Sequence, residues 1–192
     1  MPEPGSEVSF ILIAAKFAAT KHKFQKRKDA DETPYINHPL DVAELLTRIA
    51  RVTDPHVLAA AFLHDTIEDT HTTEDELRTI FGDRVLSLVM ECTDDKTLPK
   101  SERKRLQVEH APHKSDEAKL IKIADKISNI RDVAESPPPT WEWQRRWDYL
   151  DWAQQVFDGL KGISFELDAE FAKAMEESRR RVELQKPQSA HR

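Results

Sequence analysis

An apolar run that ends in a cluster of polar residues constrains this chain more than any other feature of its sequence. Residues 57–62 contain no turn-forming residue, and a segment so rich in Ala and Leu favours a helix. We predict one continuous helix here, which runs on to about Asp69. Residues four apart on a helix share a face, so His64 would lie over Glu68. Asp65 would likewise lie over Asp69.

The polar residues at the end of this helix would be costly to bury without a compensating partner. Neutral histidine and ionised aspartate are standard ligands of divalent metals, so His64 and Asp65 indicate a metal site. Glu68 and Asp69 would then be left for proton transfer. The alternative is a solvated helix end. Carboxylates at that end oppose the helix dipole, which weakens this alternative but leaves both interpretations open.

The rest of the sequence favours an all-α fold. The chain has 192 residues with only 4 glycines, and several segments repeat apolar residues at helical spacing without a convincing alternating strand. We predict a bundle of about eight or nine helices, the first over residues 8–27. A chain of this length is expected to form one domain over 1–192, with its core at about 8–181 and a frayed tail at 185–192.

Charge and cysteine content limit the partners of the chain. The formal net charge of −6 argues against general nucleic-acid binding, which needs a broad basic surface. No apolar run approaches the ~20 residues of a membrane span, and the amino terminus lacks the pattern of a signal peptide. Cys92 is the only cysteine, which excludes an internal disulfide and favours a reducing, cytoplasmic location.

Two further segments carry residues that could join a site. His38 precedes Pro39 at a predicted helix start, where a charged ring would oppose the helix dipole. His38 is therefore expected to be neutral, which is the form that binds metal. A later predicted helix carries a polar stripe that includes Asp125 and Asp132. Its spacing is equally typical of a solvated face and does not favour Asp125 over Asp132.

Five segments form an ordered set: RKD at 27–29, TPYINHP at 33–39, AAFLHDTIED at 60–69, TDDKTLP at 93–99 and ADKISNIRD at 124–132. Together they resemble the hydrolase domain of the RelA/SpoT homologues, within the His-Asp (HD) phosphohydrolase superfamily. The resemblance is greatest to the stand-alone form, the small alarmone hydrolases that include the animal SpoT homologue. The dyad His64-Asp65 alone is weakly specific for this family, whereas the ordered set of five segments is strongly specific. The implied fold is a multi-helix HD-domain bundle.

This resemblance implies roles for particular residues. The positions that match metal ligands are His38, His64, Asp65 and Asp125. The positions that match the water-activating pair are Glu68 and Asp69. The positions that match substrate contacts or pocket residues are Arg27, Lys28, Asn129, Arg145 and Tyr149. The cofactor implied is one divalent metal ion, with Mn²⁺ favoured.

The function implied is hydrolysis of the 3′-pyrophosphate of guanosine tetra- or pentaphosphate, which gives GDP or GTP and pyrophosphate. The partner would be this small nucleotide, with neither nucleic acid nor membrane, and the oligomeric state is left open. Fold alone does not settle the substrate, so a phosphatase acting on another nucleotide, such as the 2′-phosphate of NADPH, is one alternative. A non-catalytic alarmone sensor and a metal-free helical scaffold are the others. Intact Glu68 and Asp69 argue against a sensor.

One position departs from the pattern of the family. Ser128 stands where relatives often carry an aromatic residue, just before the asparagine at 129. If that ring packs on the nucleotide, we expect an altered affinity or base preference in this chain.

Overall fold

The computed structural model describes residues 6–187. Its helices are α1 Ser6–Lys21, α2 Asn37–Arg48, α3 Pro55–Leu63, α4 Thr66–Asp69, α5 Glu74–Cys92, α6 Lys100–His110, α7 Asp116–Glu135, α8 Trp143–Leu160 and α9 Phe165–Leu184. Gly82, with φ 84° and ψ 170°, divides α5 into two helical segments. A 3₁₀ turn, Ala111–His113, links α6 to α7. The predicted all-α class is confirmed. The predicted frayed tail falls largely beyond the described residues, since 188–192 lie outside them.

Helix α7 lies at the centre of the bundle. It packs against α9, α2, α8, α5 and α3, and Ile123, Ile127 and Ile130 are fully buried on it. Helix α3 is apolar on every side, and each of residues 57–63 is buried. A helix without a polar face can be stable only inside the fold, which is why α3 is enclosed by α1, α2, α5 and α7. None of the described helices could cross a membrane.

The predicted first helix is too long. Helix α1 ends at Lys21, and residues 22–28 form a turn and an extended strand-like segment in which Lys26 pairs with Pro34. The amide of Arg27 donates to the carbonyl of Thr33 at 2.8 Å. Helices in proteins depend on an apolar face that packs on the core, and the basic run offers none. This turn places Arg27 and Lys28 at the edge of a cavity.

The predicted continuous helix through Asp69 is also wrong. Helix α3 ends at Leu63 and α4 begins at Thr66. Side chains donate hydrogen bonds to the backbone carbonyl oxygens at this point: His64 Nδ1 donates to Ala61 O, and Thr66 Oγ1 donates to Leu63 O, each at 2.7 Å. Side-chain donors of this kind compete with the helical amides and interrupt the helix. His64 and Asp65 therefore project from a junction between two helices.

Candidate metal and nucleotide site

Two histidines and two aspartates from three parts of the chain converge at the centre of the fold. His38 lies in the first turn of α2, His64 and Asp65 at the α3–α4 junction, and Asp125 in the middle of α7. His38 Nε2 is 3.2 Å from Asp125 Oδ1 and 3.8 Å from Asp65 Oδ2. His64 Nε2 is 3.2 Å from Asp65 Oδ2 and 4.0 Å from Asp125 Oδ1. The donor atoms of His38, His64 and Asp65 all lie within 4.8 Å of one another, and Asp125 approaches this group from the side of the two histidines.

The donor atoms of this cluster suit a divalent metal. His64 Nδ1–H donates to Ala61 O, so Nε2 is the ring nitrogen that faces the cluster. That buried Nε2 has no hydrogen-bond partner among the described residues. A buried polar atom without a partner is costly, and a metal ion at this point would satisfy it. The residues present therefore fit a bound divalent ion.

The charges of the cluster lead to the same conclusion. Burial opposes ionisation of Asp65, but His64 and His38 outweigh it and hold the pKa of Asp65 below its ordinary value. Burial also opposes ionisation of Asp125, and Lys126 and His38 likewise outweigh it. Burial lowers the pKa of His38. Burial also opposes a charge on His64, but Asp65 and Asp125 outweigh it and raise the pKa of His64 to about 9, so a metal ion that binds His64 would displace a proton. Two ionised carboxylates in a buried site need positive charge close by, and a divalent ion supplies it.

Ser128 lies behind this cluster rather than in a nucleotide pocket. It is buried, and its Oγ is 3.1 Å from His38 Nδ1, the ring nitrogen that faces away from the carboxylates. A partner at this nitrogen fixes the orientation of a metal-binding imidazole. The expectation that position 128 packs on the nucleotide is therefore not supported by the geometry, because Ser128 does not line the cavity.

The two remaining carboxylates have separate environments. Glu68 Oε2 accepts from the Asp94 amide at 3.0 Å, and Glu68 Oε1 is 3.7 Å from Arg103 Nη1. Burial, the largest effect, together with nearby carboxylates raises the pKa of Glu68 to about 7. Asp69 Oδ2 accepts from Gln25 Nε2 at 2.9 Å, and Asp69 Oδ1 pairs with Lys96. Glu68 can therefore exchange a proton near neutral pH, whereas Asp69 is held by two donors.

A cavity of about 350 Å³ adjoins the cluster. Of the predicted substrate contacts it is lined by Arg27, Lys28, Asn129 and Tyr149, together with Asp69. Arg145 does not line the cavity. Its guanidinium lies 4.5 Å from the ring centroid of Trp141, and Trp141 does line the cavity. Asn129 connects the cavity to the cluster, because its Nδ2 donates to Asp125. The predicted site residues thus lie around two connected features, with Arg145 at the rim.

Several residues of the site were not singled out from the sequence. Tyr35 is the main example: its hydroxyl donates to Asp65 Oδ2, and its ring lines the cavity. The sequence signal that could have identified Tyr35 is its place in the 33–39 segment, which carries part of the family resemblance. Lys126 is buried and donates to Asp125 Oδ2 at 2.8 Å, which no helical pattern indicates. Gln25 lies within a basic run, and nothing in the sequence there indicates that it belongs to the site.

Comparison with known proteins identifies the family. The HD domain model matches residues 14–161. The human protein named guanosine-3′,5′-bis(diphosphate) 3′-pyrophosphohydrolase MESH1 is 56% identical over 85% of this chain and 92% of its own length. The proteins of that name from Xenopus tropicalis and Drosophila melanogaster are 55% and 48% identical, over 83% and 82% of this chain and 89% and 88% of their own lengths.

Solved structures agree with this result. The structure described as a metazoan orthologue of SpoT that hydrolyses ppGpp and plays a role in starvation responses matches with a TM-score of 0.86 and 42% identity, over 92% of this chain and 97% of that one. A Listeria monocytogenes EGD-e protein matches with a TM-score of 0.60 and 30% identity, over 73% and 97%. The chain therefore belongs to the HD-domain family and, within it, to the family of the MESH1 pyrophosphohydrolases.

Proposed function

We propose that this protein is a metal-dependent hydrolase that removes the 3′-pyrophosphate of guanosine tetra- or pentaphosphate and leaves GDP or GTP. One observation carries the proposal: a cluster of four potential metal ligands adjoins a cavity of about 350 Å³ that is lined by Arg27 and Lys28. The names of the MESH1 relatives and the description of the metazoan SpoT orthologue support the same substrate.

The ligands of the ion would be His38, His64, Asp65 and Asp125. A divalent ion there would polarise the phosphoryl group and lower the pKa of water. Mixed nitrogen and oxygen ligation is compatible with Mn²⁺, Fe²⁺ or Zn²⁺, and we propose Mn²⁺ on the family resemblance. Lys126 and Asn129 would hold Asp125 in place, since both donate to its carboxylate.

Glu68 and Asp69 would activate the attacking water. Burial raises the pKa of Glu68 to about 7, so its carboxylate can accept the proton of water near neutral pH. The oxygen of water would form a bond to the phosphorus attached to the ribose 3′ oxygen. The bond from that phosphorus to the 3′ oxygen would break, the 3′ oxygen would take up a proton, and pyrophosphate would leave. Asp69 would orient the water.

Arg27, Lys28, Asn129, Arg145 and Tyr149 would bind the nucleotide. The whole chain carries a formal charge of −6, so attraction of a polyphosphate must come from local cations. Arg27 is already oriented: it donates to Asp132 and, at 2.9 Å, to Asn129 Oδ1, and its guanidinium lies 5.6 Å from the ring centroid of Tyr35. A pre-oriented guanidinium recognises phosphate at low entropic cost.

The test is product analysis by anion-exchange chromatography. Mn²⁺-loaded protein is incubated in parallel with guanosine tetraphosphate and with NADPH, and Asp65→Ala serves as the blank. We expect GDP and pyrophosphate in equal amounts from the wild type and none from Asp65→Ala. Phosphate from NADPH with no release from guanosine tetraphosphate would instead assign the site to another nucleotide. No product from either substrate would reject guanosine tetraphosphate and NADPH as substrates and favour the sensor.

Two further proposals concern the protein as a whole. We propose a cytoplasmic location on the basis of the single cysteine, Cys92, which is buried and cannot form an internal disulfide. We also propose that residues 1–192 form one domain, which the contacts of α7 with five other helices support. Limited proteolysis that yields one stable fragment over about 8–181 would agree with a single domain.

A further inference from the structure

A buried histidine outside the cavity contacts the residue that holds Asp69. His22 follows α1 directly and is only 2% exposed. Its Nδ1 is 2.7 Å from Gln25 Oε1, and Gln25 Nε2 donates to Asp69 Oδ2 at 2.9 Å. Gln25 and Asp69 line the cavity, whereas His22 does not. The three side chains therefore form a row that leads from the interior to the site.

The direction of each hydrogen bond in this row follows from Asp69. An ionised carboxylate only accepts, so the Gln25 amide must present its NH₂ group to Asp69. The carbonyl oxygen of Gln25 then faces His22, and a carbonyl also only accepts. His22 must therefore carry its proton on Nδ1 and donate it. In this tautomer Nε2 has a lone pair, and it has no partner among the described residues.

The backbone of this turn is equally well fixed. The amide of Gln25 donates to His22 O at 2.8 Å, and the amide of Tyr35 donates to Gln25 O at 3.1 Å. The ring of His22 packs on that of Tyr35, with centroids 4.7 Å apart. Only the amide end of Gln25 is free to rotate, and a rotation of 180° would place its carbonyl oxygen against Asp69. Two contacts oppose that rotation: the Asp69 carboxylate would repel the carbonyl oxygen, and the His22 Nδ1 proton would face the NH₂ group.

We propose that His22 is a positioning residue that acts through Gln25: its Nδ1 proton keeps the Gln25 NH₂ group on Asp69 and so holds the carboxylate in its working orientation. The effect on turnover rests on the proposed function. The second partner of Asp69, Lys96, is about half exposed and therefore constrains the carboxylate less. Removal of the His22 donor should lower kcat on the order of tenfold, the value of one hydrogen bond, and leave KM nearly unchanged.

Two substitutions separate the proton from the packing of the ring. His22→Phe keeps a ring against Tyr35 but has no donor, and it removes the unpaired Nε2, so folding should not suffer. His22→Asn loses the ring but places an NH₂ group near the position of Nδ1. We expect a low kcat in His22→Phe and near wild-type kcat in His22→Asn, with equal metal content. The reverse order would overturn the proposal and assign His22 to packing alone.

A double-mutant cycle tests whether the effect passes through Gln25. We expect Gln25→Ala to lower kcat and the addition of His22→Phe to lower it no further. If His22→Phe costs the same factor in both backgrounds, the route through Gln25 is wrong.

A measurement without turnover separates this proposal from the proposed function. Nitrogen NMR of the histidine rings should show the Nδ1–H tautomer at His22, and His22→Phe identifies the signal. The side-chain NH₂ resonances of Gln25 should shift in His22→Phe but not in His22→Asn. A proton on Nε2 would overturn the inference even in an active enzyme. If wild-type protein releases no pyrophosphate while these signals are as expected, the proposed function fails and the orientation of Gln25 stands.

Discussion

At the scale of single residues, the environment of Asp125 separates it from the other acid of its stripe. Asp125 is buried on α7 beside Lys126, Asn129 and His38. Asp132 lies about two turns further along α7, is partly exposed, and pairs with Arg27. Burial beside two imidazoles supports the proposal that Asp125 is a ligand, whereas Asp132 pairs with a cavity-lining cation.

This difference predicts opposite outcomes for two matched substitutions. Asp125→Asn should lose the bound metal, because it removes one of the two charges that balance a divalent ion. Asp132→Asn should retain metal and raise KM, because it frees Arg27. Metal content by mass spectrometry and steady-state kinetics check both. Loss of metal from Asp132→Asn with retention in Asp125→Asn would reverse the assignment.

Glu68 predicts how the rate depends on pH. A general base works only when ionised, so kcat/KM should rise with pH through the pKa of Glu68. Burial raises that pKa to about 7 in the protein without metal. A cation at the neighbouring ligands favours the ionised form, so the midpoint should lie at or below this value, with about tenfold loss per pH unit below it.

The control for this profile is Glu68→Gln. This variant should keep the metal, lower kcat by about 10²–10⁴-fold and abolish the rise of kcat/KM with pH. If kcat/KM of Glu68→Gln still rises with pH, another group is the general base. If Glu68→Gln loses the metal, Glu68 is a ligand.

At the scale of elements, α8 meets the 3₁₀ turn Ala111–His113 at a glycine. A Cβ built at Gly159 would lie 2.8 Å from Ala111 Cβ and 3.0 Å from Pro112 Cδ. Neither neighbour is the end of a flexible side chain. The small residue therefore lets the helix and the turn approach, which closes this side of the bundle.

Gly159→Ala should destabilise the protein even though alanine is the better helix former. The gain in helix propensity is about 1 kcal/mol, and overpacking costs about 1–3 kcal/mol. We expect a net loss of about 1 kcal/mol in the free energy of unfolding by urea titration. Gln155→Ala, at an exposed position of the same helix, is the control and should be nearly neutral. A Gly159→Ala variant that is more stable than the wild type would mean that the turn Ala111–His113 shifts to accommodate the added Cβ at little cost.

At the scale of the whole molecule, the candidate ligands tie three parts of the fold together. His38 belongs to α2, His64 and Asp65 to the junction after α3, and Asp125 to α7. A bound ion would therefore link segments that are far apart in the sequence, and the unfolded chain has no such arrangement. Binding that is restricted to the folded state raises its stability.

Mn²⁺ should accordingly raise the Tm of metal-free protein. An ion at about 100 times its Kd adds about 2.7 kcal/mol, which is roughly 5–10 °C for a domain of this size. Thermal scans with and without Mn²⁺ measure the shift, and Asp125→Asn should show little of it. An equal shift in Asp125→Asn would place the ion elsewhere.

The sequence was sufficient for the features that depend on local pattern. Apolar spacing predicted the helices, and Asp54, Thr73 and Ser115 all accept hydrogen bonds at helix starts, as their residue types suggest. It could not place the end of α1 or the break at His64, because both depend on contacts outside the segment. The predicted register of Asp65 and Asp69 is retained after the break, since the Asp69 amide donates to Asp65 O at 2.8 Å.

The sequence by itself therefore determined the all-α class and, through the ordered segments of its family, which side chains to consider. Only the tertiary structure decided what surrounds them: that Asp125 and Lys126 are buried together, that Tyr35 contacts Asp65, that Ser128 contacts His38 and that His22 supports Gln25. The reason is physical. Helix formation depends on neighbours within a few residues, whereas burial, tautomer and charge depend on groups that the fold brings from α1, α2, α3 and α7.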